Sequence, residues 1–296
     1  MPRHFLEVDD LEPHELVEVL DLANDPDPPE VLDGRGAALY FEKPSNRTRN
    51  SMEMAVHQLG GHPVYVRDEE VGIDTRETAE DVVRTFASYH AVVAARVFAH
   101  SVLERMAAVS PVPVVNLLSD DAHPMQALAD LLTIRSELGG LKGRCVAFVG
   151  DANNVWRSLA IGCAMSGAEV RLACPPGYAP SAANVDRVRL HGTVPLVVHR
   201  PVEAVDGADV VYTDVWASMG QEDEALNRRR AFEGFTIDAE LVDHLAPTGI
   251  VLHCLPAHRG EEITAEVLEG ERSRVWSQAA NRMNAARGLL AWLLQR

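Results

Sequence analysis

Apolar residues fall into two kinds of run along this chain. Short runs rich in Val, Ile and Ala occupy 37–41, 63–66, 91–95 and 112–116, and again 145–149, 169–173, 194–198, 209–213 and 250–254. Most do not alternate with polar residues, which is the pattern of strands buried on both faces of a parallel sheet. Between them the period becomes helical: Met52, Ala55, Val56 and Leu59 recur at i, i+3, i+4 and i+7, as do Ala286, Leu289, Leu290 and Leu293. The segment 124–138 opens with Pro in its first turn and stops before Gly139-Gly140. Strands alternating with helices predict an α/β fold. We expect two domains, each a parallel β-sheet flanked by helices. The glycine pair, followed by Leu141-Lys142-Gly143, places their boundary: 1–138 and 139–280, with the C-terminal helix 281–296 packing back on the first.

Composition narrows the classes. The chain has 296 residues, 47% apolar and 24% charged, which excludes disordered and fibrous proteins. No window approaches the roughly 20 consecutive apolar residues of a membrane span. The start, MPRHFLEVDDLEP, lacks the apolar core of a signal peptide, so a cytoplasmic location is expected. Cys145, Cys163, Cys174 and Cys254 show no CxxC pairing, which argues against a disulfide framework or a structural zinc site. A net charge of -17 argues against a nucleic-acid partner. Any anion site must be a local concentration of donors within a repulsive field.

In open α/β sheets ligands bind beyond the carboxyl ends of the strands, and five of the proposed strands run into chemically rich segments. The first leads to Ser45-Asn46-Arg47-Thr48-Arg49, hydroxyls, a carboxamide and two arginines opening a helix. Helix-end amides with arginines suit an oxyanion, phosphate best of all; an ordinary capped helix reads the same way. Arg96 directly follows the strand 91–95. His123 and Gln126 lie three apart at a helix start, able to hold a carbonyl or amide group together, or simply to cap the helix. Gly150-Asp151-Ala152-Asn153-Asn154 has the place of a dinucleotide turn but lacks its glycines. Asn154 suits a zwitterionic substrate instead. Asp214, with Ser218 and Met219 after it, offers a carboxylate for an ammonium group. His253 and Cys254 are adjacent on a strand and point to opposite faces, which weakens a Cys–His dyad or a shared metal.

Together these segments identify a resemblance. FEKPSNRTR (41–49), AARVF (94–98), HPMQALADLLT (123–133), VGDANN (149–154), TDVWASMGQE (213–222), HCLPAHRGEE (253–262) and NR (281–282) resemble the aspartate/ornithine carbamoyltransferase family in order and spacing. The resemblance implies two domains with the active site in the interdomain cleft, and a homotrimer or assembly of trimers. It implies carbamoyl transfer from carbamoyl phosphate to the side-chain amine of L-ornithine, with no metal or organic cofactor. By position, Ser45, Asn46, Arg47 and Thr48 would hold the phosphate; Arg96, His123 and Gln126 would hold the carbamoyl end, with Arg282 close by. Asn154, Asp214, Ser218 and Met219 would bind the amino acid's α-groups, Cys254 would lie beside the reacting amine, and Leu255 would contribute a carbonyl. Arg96, His123 and Thr48 would stabilise the oxyanion, with Cys254 completing the catalytic set.

Two positions depart from the family pattern. Asn46 stands where a threonine is usual, and 67–78 carries Asp68, Glu69, Glu70 and Asp74 where a polar loop is usual. Carboxylates beside an anion site are unfavourable unless they point away. Three other readings compete. The first is a carbamoyltransferase for another amine such as putrescine or N-acetylornithine. The second is a non-catalytic paralogue. The third is a nicotinamide-dependent oxidoreductase, against which the missing glycines argue.

Overall fold

The computed structural model describes residues 2–217 and 224–295. Ser218 and Met219 therefore lie outside the described residues. Contacts divide the chain into two compact units, residues 1–132 with 280–296, and residues 133–279. These divisions fall inside helices, Pro124–Leu138 and Val275–Leu294.

Unit 1 is built on four parallel strands, β1 (Gly36–Phe41), β2 (His62–Arg67), β3 (His90–Arg96) and β4 (Val114–Leu118), in the order β2-β1-β3-β4. Around them run α1 (Pro13–Ala23), α2 (Asn46–Gln58), α3 (Asp68–Val71), α4 (Ala79–Ala87), α5 (His100–Val109) and the start of α6 (Pro124–Leu138). Alternate residues share a sheet face. Ala38, Tyr40, Val93, Ala95 and Val114 accordingly pack in one cluster with Val82 and Val83 of α4 and Leu103 and Met106 of α5.

Unit 2 carries β5 (Cys145–Val149), β6 (Glu169–Ala173), β7 (Leu196–Val198), β8 (Val210–Thr213) and β9 (Ile250–His253), all parallel, in the order β7-β6-β5-β8-β9. Its helices are α7 (Asn154–Met165), α8 (Ala182–Arg189), α9 (Pro201–Val205), α10 (Ala225–Ala231), α11 (Ala239–Val242) and α12 (Ala265–Leu268), followed by α13 (Val275–Leu294). The later part of α13 belongs to unit 1, where it lies against α1. A Cβ on Gly288 would stand 2.5 Å from the Val19 carbonyl, so only glycine permits that approach. Trp292 Nε1 donates to Glu18 at 2.9 Å, and Arg287 reaches the carbonyls of Ala23 and Asp25.

Four strands are shorter or later than their apolar runs, β8 by the single residue that starts it at Val210. β4 begins at Val114 and β7 at Leu196, each directly after a proline, Pro113 and Pro195, that has no N–H to give a ladder. β9 ends at His253 because the backbone turns left-handed at Leu255, φ 59°. Cys254 is therefore a loop residue. Among the described residues no helix is long and apolar enough to cross a membrane.

Candidate active site

Each sheet reverses its strand order once, and such a reversal opens a crevice at the carboxyl ends of the strands. In unit 1 the reversal separates β1 from β3, the strands that lead to Ser45 and end at Arg96. In unit 2 it separates β5 from β8, which lead to Asn153-Asn154 and to Asp214.

In unit 1 Ser45 caps α2, its Oγ accepting from the Thr48 amide at 3.3 Å and donating to Thr48 Oγ1 at 3.1 Å. Thr48 is buried, and its hydroxyl accepts from Arg282 Nη2 at 2.8 Å. Arg282 also donates to Gln126 Oε1, whose Nε2 donates to the buried Asp130 at 2.8 Å. This chain of contacts ties α2, α6 and α13 together and aims the Arg282 guanidinium. His123, 6% exposed, directly precedes α6 and accepts the first helical bond from Ala127. Asn46 is the first residue of α2; its side-chain oxygen accepts from Asn50, which leaves its NH2 as the donor toward a ligand.

The electrostatics of this group suit an anion. Burial and the neighbouring Arg282 and Arg47 push the Arg96 guanidinium down to about 10. Arg96 Nε is buried, and among the described residues no hydrogen-bond partner reaches it. Burial, with Arg282, Arg96 and Arg47 nearby, holds His123 well below the ordinary imidazole value, so it is a neutral N–H donor at neutral pH. Like charges are gathered here against Coulomb repulsion, which an anion of opposite sign would relieve.

Arg49 does not join this group. It pairs with Glu53 at 2.7 Å and lies 3.8 Å over the Tyr65 ring, so of the two arginines in SNRTR only Arg47 faces the cluster. The acidic segment is also occupied elsewhere. Asp68 accepts from the buried Tyr40 hydroxyl at 2.5 Å, Glu70 accepts from the Arg67 amide, and Asp74 and Glu80 share Arg105 at 2.7 and 2.6 Å. Those carboxylates have partners of their own and do not oppose the anion cradle.

In unit 2 Asp214 is 8% exposed and gathers the neighbouring groups. Its Oδ1 accepts from the Val215 amide at 2.8 Å and from Cys254 Sγ at 2.9 Å; its Oδ2 accepts from Asn153 Nδ2 at 3.0 Å. Asn153 also caps α7, accepting from the Val155 and Trp156 amides, so it fixes both the helix that carries Asn154 and the carboxylate of Asp214. Its residue type marked a cap; only the fold placed Asp214 against it. His253 and Glu262, fully buried, join at 3.0 Å, and His253 Nδ1 accepts from the Leu255 amide at 2.8 Å. This sets the turn that follows Cys254. Arg228, 8% exposed, donates to Asp151 at 2.7 Å and to the Trp216 carbonyl at 2.9 Å. It thereby fastens the Trp216 backbone to the loop after β5. The remaining cluster with metal-ligating side chains, His258, Glu261 and Glu262, is committed to structure: Glu261 pairs with Arg229 and Glu262 with His253.

Comparison with known proteins agrees with this division of labour. The family model described as the carbamoyl-P binding domain of aspartate/ornithine carbamoyltransferase matches residues 3–136, and that of the Asp/Orn binding domain matches residues 142–293. The chain is 50% identical to the ornithine carbamoyltransferase of Acidothermus cellulolyticus over 304 residues, covering 99% of this chain and 97% of that one. With the enzyme of Thermus thermophilus it shares 47% identity over 299 residues, covering 100% of this chain and 98% of that one. The solved structure of ornithine carbamoyltransferase from Pyrococcus furiosus superposes with a TM-score of 0.94 at 41% identity, covering 99% and 97% of the two chains. Similarity of this extent, running through both units, places the chain in the aspartate/ornithine carbamoyltransferase family.

Proposed function

We propose that the chain transfers the carbamoyl group of carbamoyl phosphate to the side-chain amine of L-ornithine, giving L-citrulline and phosphate. The observation that carries this reading is the group of Arg47, Arg96, Arg282 and neutral His123 around the capped start of α2, where burial and neighbouring like charges depress both Arg96 and His123. In this reading Ser45, Asn46, Arg47 and Thr48 hold the phosphate, using the free amides of a helix start. Arg96, His123, Gln126 and Arg282 hold the carbamoyl end. Asn154, Asp214, Ser218 and Met219 bind the α-groups of the amino acid, with Cys254 and Leu255 beside the reacting amine.

The chemistry follows from those roles. A neutral amine attacks the carbonyl carbon, the carbonyl oxygen takes up negative charge, and the C–O bond to phosphate then breaks as the carbonyl re-forms, the attacking nitrogen giving its extra proton to the departing phosphate. Donors fixed in advance around that oxygen are each worth roughly 3–4 kcal/mol. Arg96, His123 and Thr48 are such donors. The arginine cradle stabilises the departing phosphate, which carries the bonding pair away. The amine loses its proton before attack, since a Lys-like ammonium titrates near 10.4. No step calls for a metal or organic cofactor. A cytoplasmic homotrimer, or an assembly of trimers, completes the proposal, and light scattering measures the assembly.

The test is citrulline formation from carbamoyl phosphate, with ornithine beside putrescine, N-acetylornithine, lysine and aspartate. Turnover with ornithine, lost in Arg47→Ala, is the expected result. Turnover only with another amine would reassign the groups around Asp214. No turnover with any of them, despite carbamoyl phosphate binding, would overturn the catalytic reading.

A further inference from the structure

Unit 1 has a second cavity, at the opposite end of its sheet from the arginine cluster. It lies at the amino ends of β1, β2 and β3, encloses about 430 Å³, and is lined by Arg35, His62, Tyr89 and His90 among glycines. We propose that this cavity binds a small phosphate-bearing anion, a phosphomonoester or free phosphate.

The first argument is charge. The chain carries -17 overall, yet no carboxylate lines this cavity, while the Arg35 guanidinium and two imidazoles able to donate hydrogen bonds do. Asp33 and Glu30 stand next to Gly60, where a Cβ would meet the Asp33 backbone at 3.2 Å and Glu30 Cβ at 3.4 Å, but neither lines the cavity. Among the described residues Arg35 makes no ion pair. A local basic concavity in an acidic protein concentrates anions.

The second argument is how the cavity is built. Gly36 stands in register between His62 of β2 and His90 of β3. A Cβ there would lie 2.5 Å from His90 Nδ1, so the absence of a side chain lets the imidazole lean over the strand. His90 Nδ1 is buried, and among the described residues no hydrogen-bond partner reaches it. Burial and the neighbouring His62 hold the His90 imidazolium below its ordinary value, so it presents a neutral ring at neutral pH. A guanidinium fork and two imidazoles offer more donors than one carboxylate can take, and a phosphate group's oxygens match them.

The third argument is size. The volume lies within the range of small-molecule sites and exceeds what a bare phosphate fills. Tyr89, 74% exposed, offers a flat aromatic face for an organic substituent. His90 and Arg96 are the two ends of β3. At about 3.3 Å per residue they are about 20 Å apart, so this ligand cannot be the one held by the arginine cluster.

The experiment is calorimetric titration of the full-chain protein carrying Arg47→Ala, so that the cradle at α2 does not compete. The probes are phenyl phosphate and inorganic phosphate. We expect saturable binding at one site per chain, weakened about tenfold or more by Arg35→Gln and by His62→Gln. Both residues are exposed, and their bonds here are made by backbone, Arg35 N–H to the Leu32 carbonyl and His62 N–H to the Arg35 carbonyl, so the fold should survive. Should one variant fail to fold, the other carries the test. Tyr89→Ala separates the sources: weaker phenyl phosphate binding with inorganic phosphate unchanged assigns a phosphomonoester, and equal binding of both probes assigns free phosphate. Absence of saturable heat with either probe, or binding indifferent to Arg35→Gln and His62→Gln, overturns the proposal.

Discussion

Arg96 offers a direct measure of what the site costs the fold. Its guanidinium is held down at about 10 by burial and by Arg282 and Arg47. Relative to an ordinary arginine that depression corresponds to about 3 kcal/mol against the charged form. Arg96→Met keeps a side chain of similar reach and removes the charge. Since Arg96 is only partly buried and solvent screens some of the repulsion, we expect the ligand-free variant to gain about 1–3 kcal/mol. At about 2–4 °C per kcal/mol for chains of this size, the melting temperature rises by several degrees. Turnover should fall about 10²–10³-fold, the usual loss when one oxyanion donor is removed. The sign with pH is definite. A depressed arginine carries its full cost wherever it is charged in both folded and unfolded chains, that is, below about 10. The gap between variant and parent is therefore flat across neutral pH and narrows only above that value. Phosphate should stabilise the parent more than the variant, because binding to the folded state draws on the same repulsion. Urea denaturation of both proteins with and without phosphate, beside steady-state citrulline assays, measures all of this. A variant less stable than its parent, or equally stabilised by phosphate, would refute the reasoning.

Other expectations follow from the same geometry. Arg228→Met removes the contacts to Asp151 and the Trp216 carbonyl; unfolding should ease by about 1–3 kcal/mol, and KM for ornithine should rise while that for carbamoyl phosphate holds. A rise in both KM values together would remove the assigned role. Asp214→Asn leaves one oxygen where Cys254, Val215 and Asn153 now donate to two, so ornithine KM should increase about tenfold or more, read by initial rates at saturating carbamoyl phosphate. His123 is depressed well below 6.5 in the fold. The unfolded chain therefore takes the proton first, and its contribution to stability is lost as pH falls from about 6.5; His123→Gln should flatten that part of the curve in urea titrations at several pH values. Since His123 is already neutral, kcat/KM for ornithine should climb about tenfold per pH unit below the amine pKa. A flat profile would place proton loss outside the rate.

The sequence by itself determined the class of fold and the type of chemistry. Short Val-, Ile- and Ala-rich runs without alternation suit strands covered on both faces, and these recur between helical repeats, so two parallel sheets were legible from run length, residue type and periodicity together. The motif residues Ser45, Arg47, Arg96, His123, Gln126, Asp214 and Cys254 were legible because they follow strands, where a parallel sheet presents its loops. Their partners were not. Asn153 reads as a helix cap, and only the strand order β5-β8 brings it to Asp214. The resemblance places Arg282 near Gln126, but its bonds to Gln126 and Thr48 form only where α13 returns to unit 1. Arg49 looks like Arg47 in sequence, but one helix position further on it meets Glu53 and Tyr65. The acids at 68–74 looked unfavourable until Tyr40 and Arg105 were seen to hold them. Local pattern follows from side-chain period and is written along the chain. Which charge faces which depends on long-range packing, and only the tertiary structure decides it.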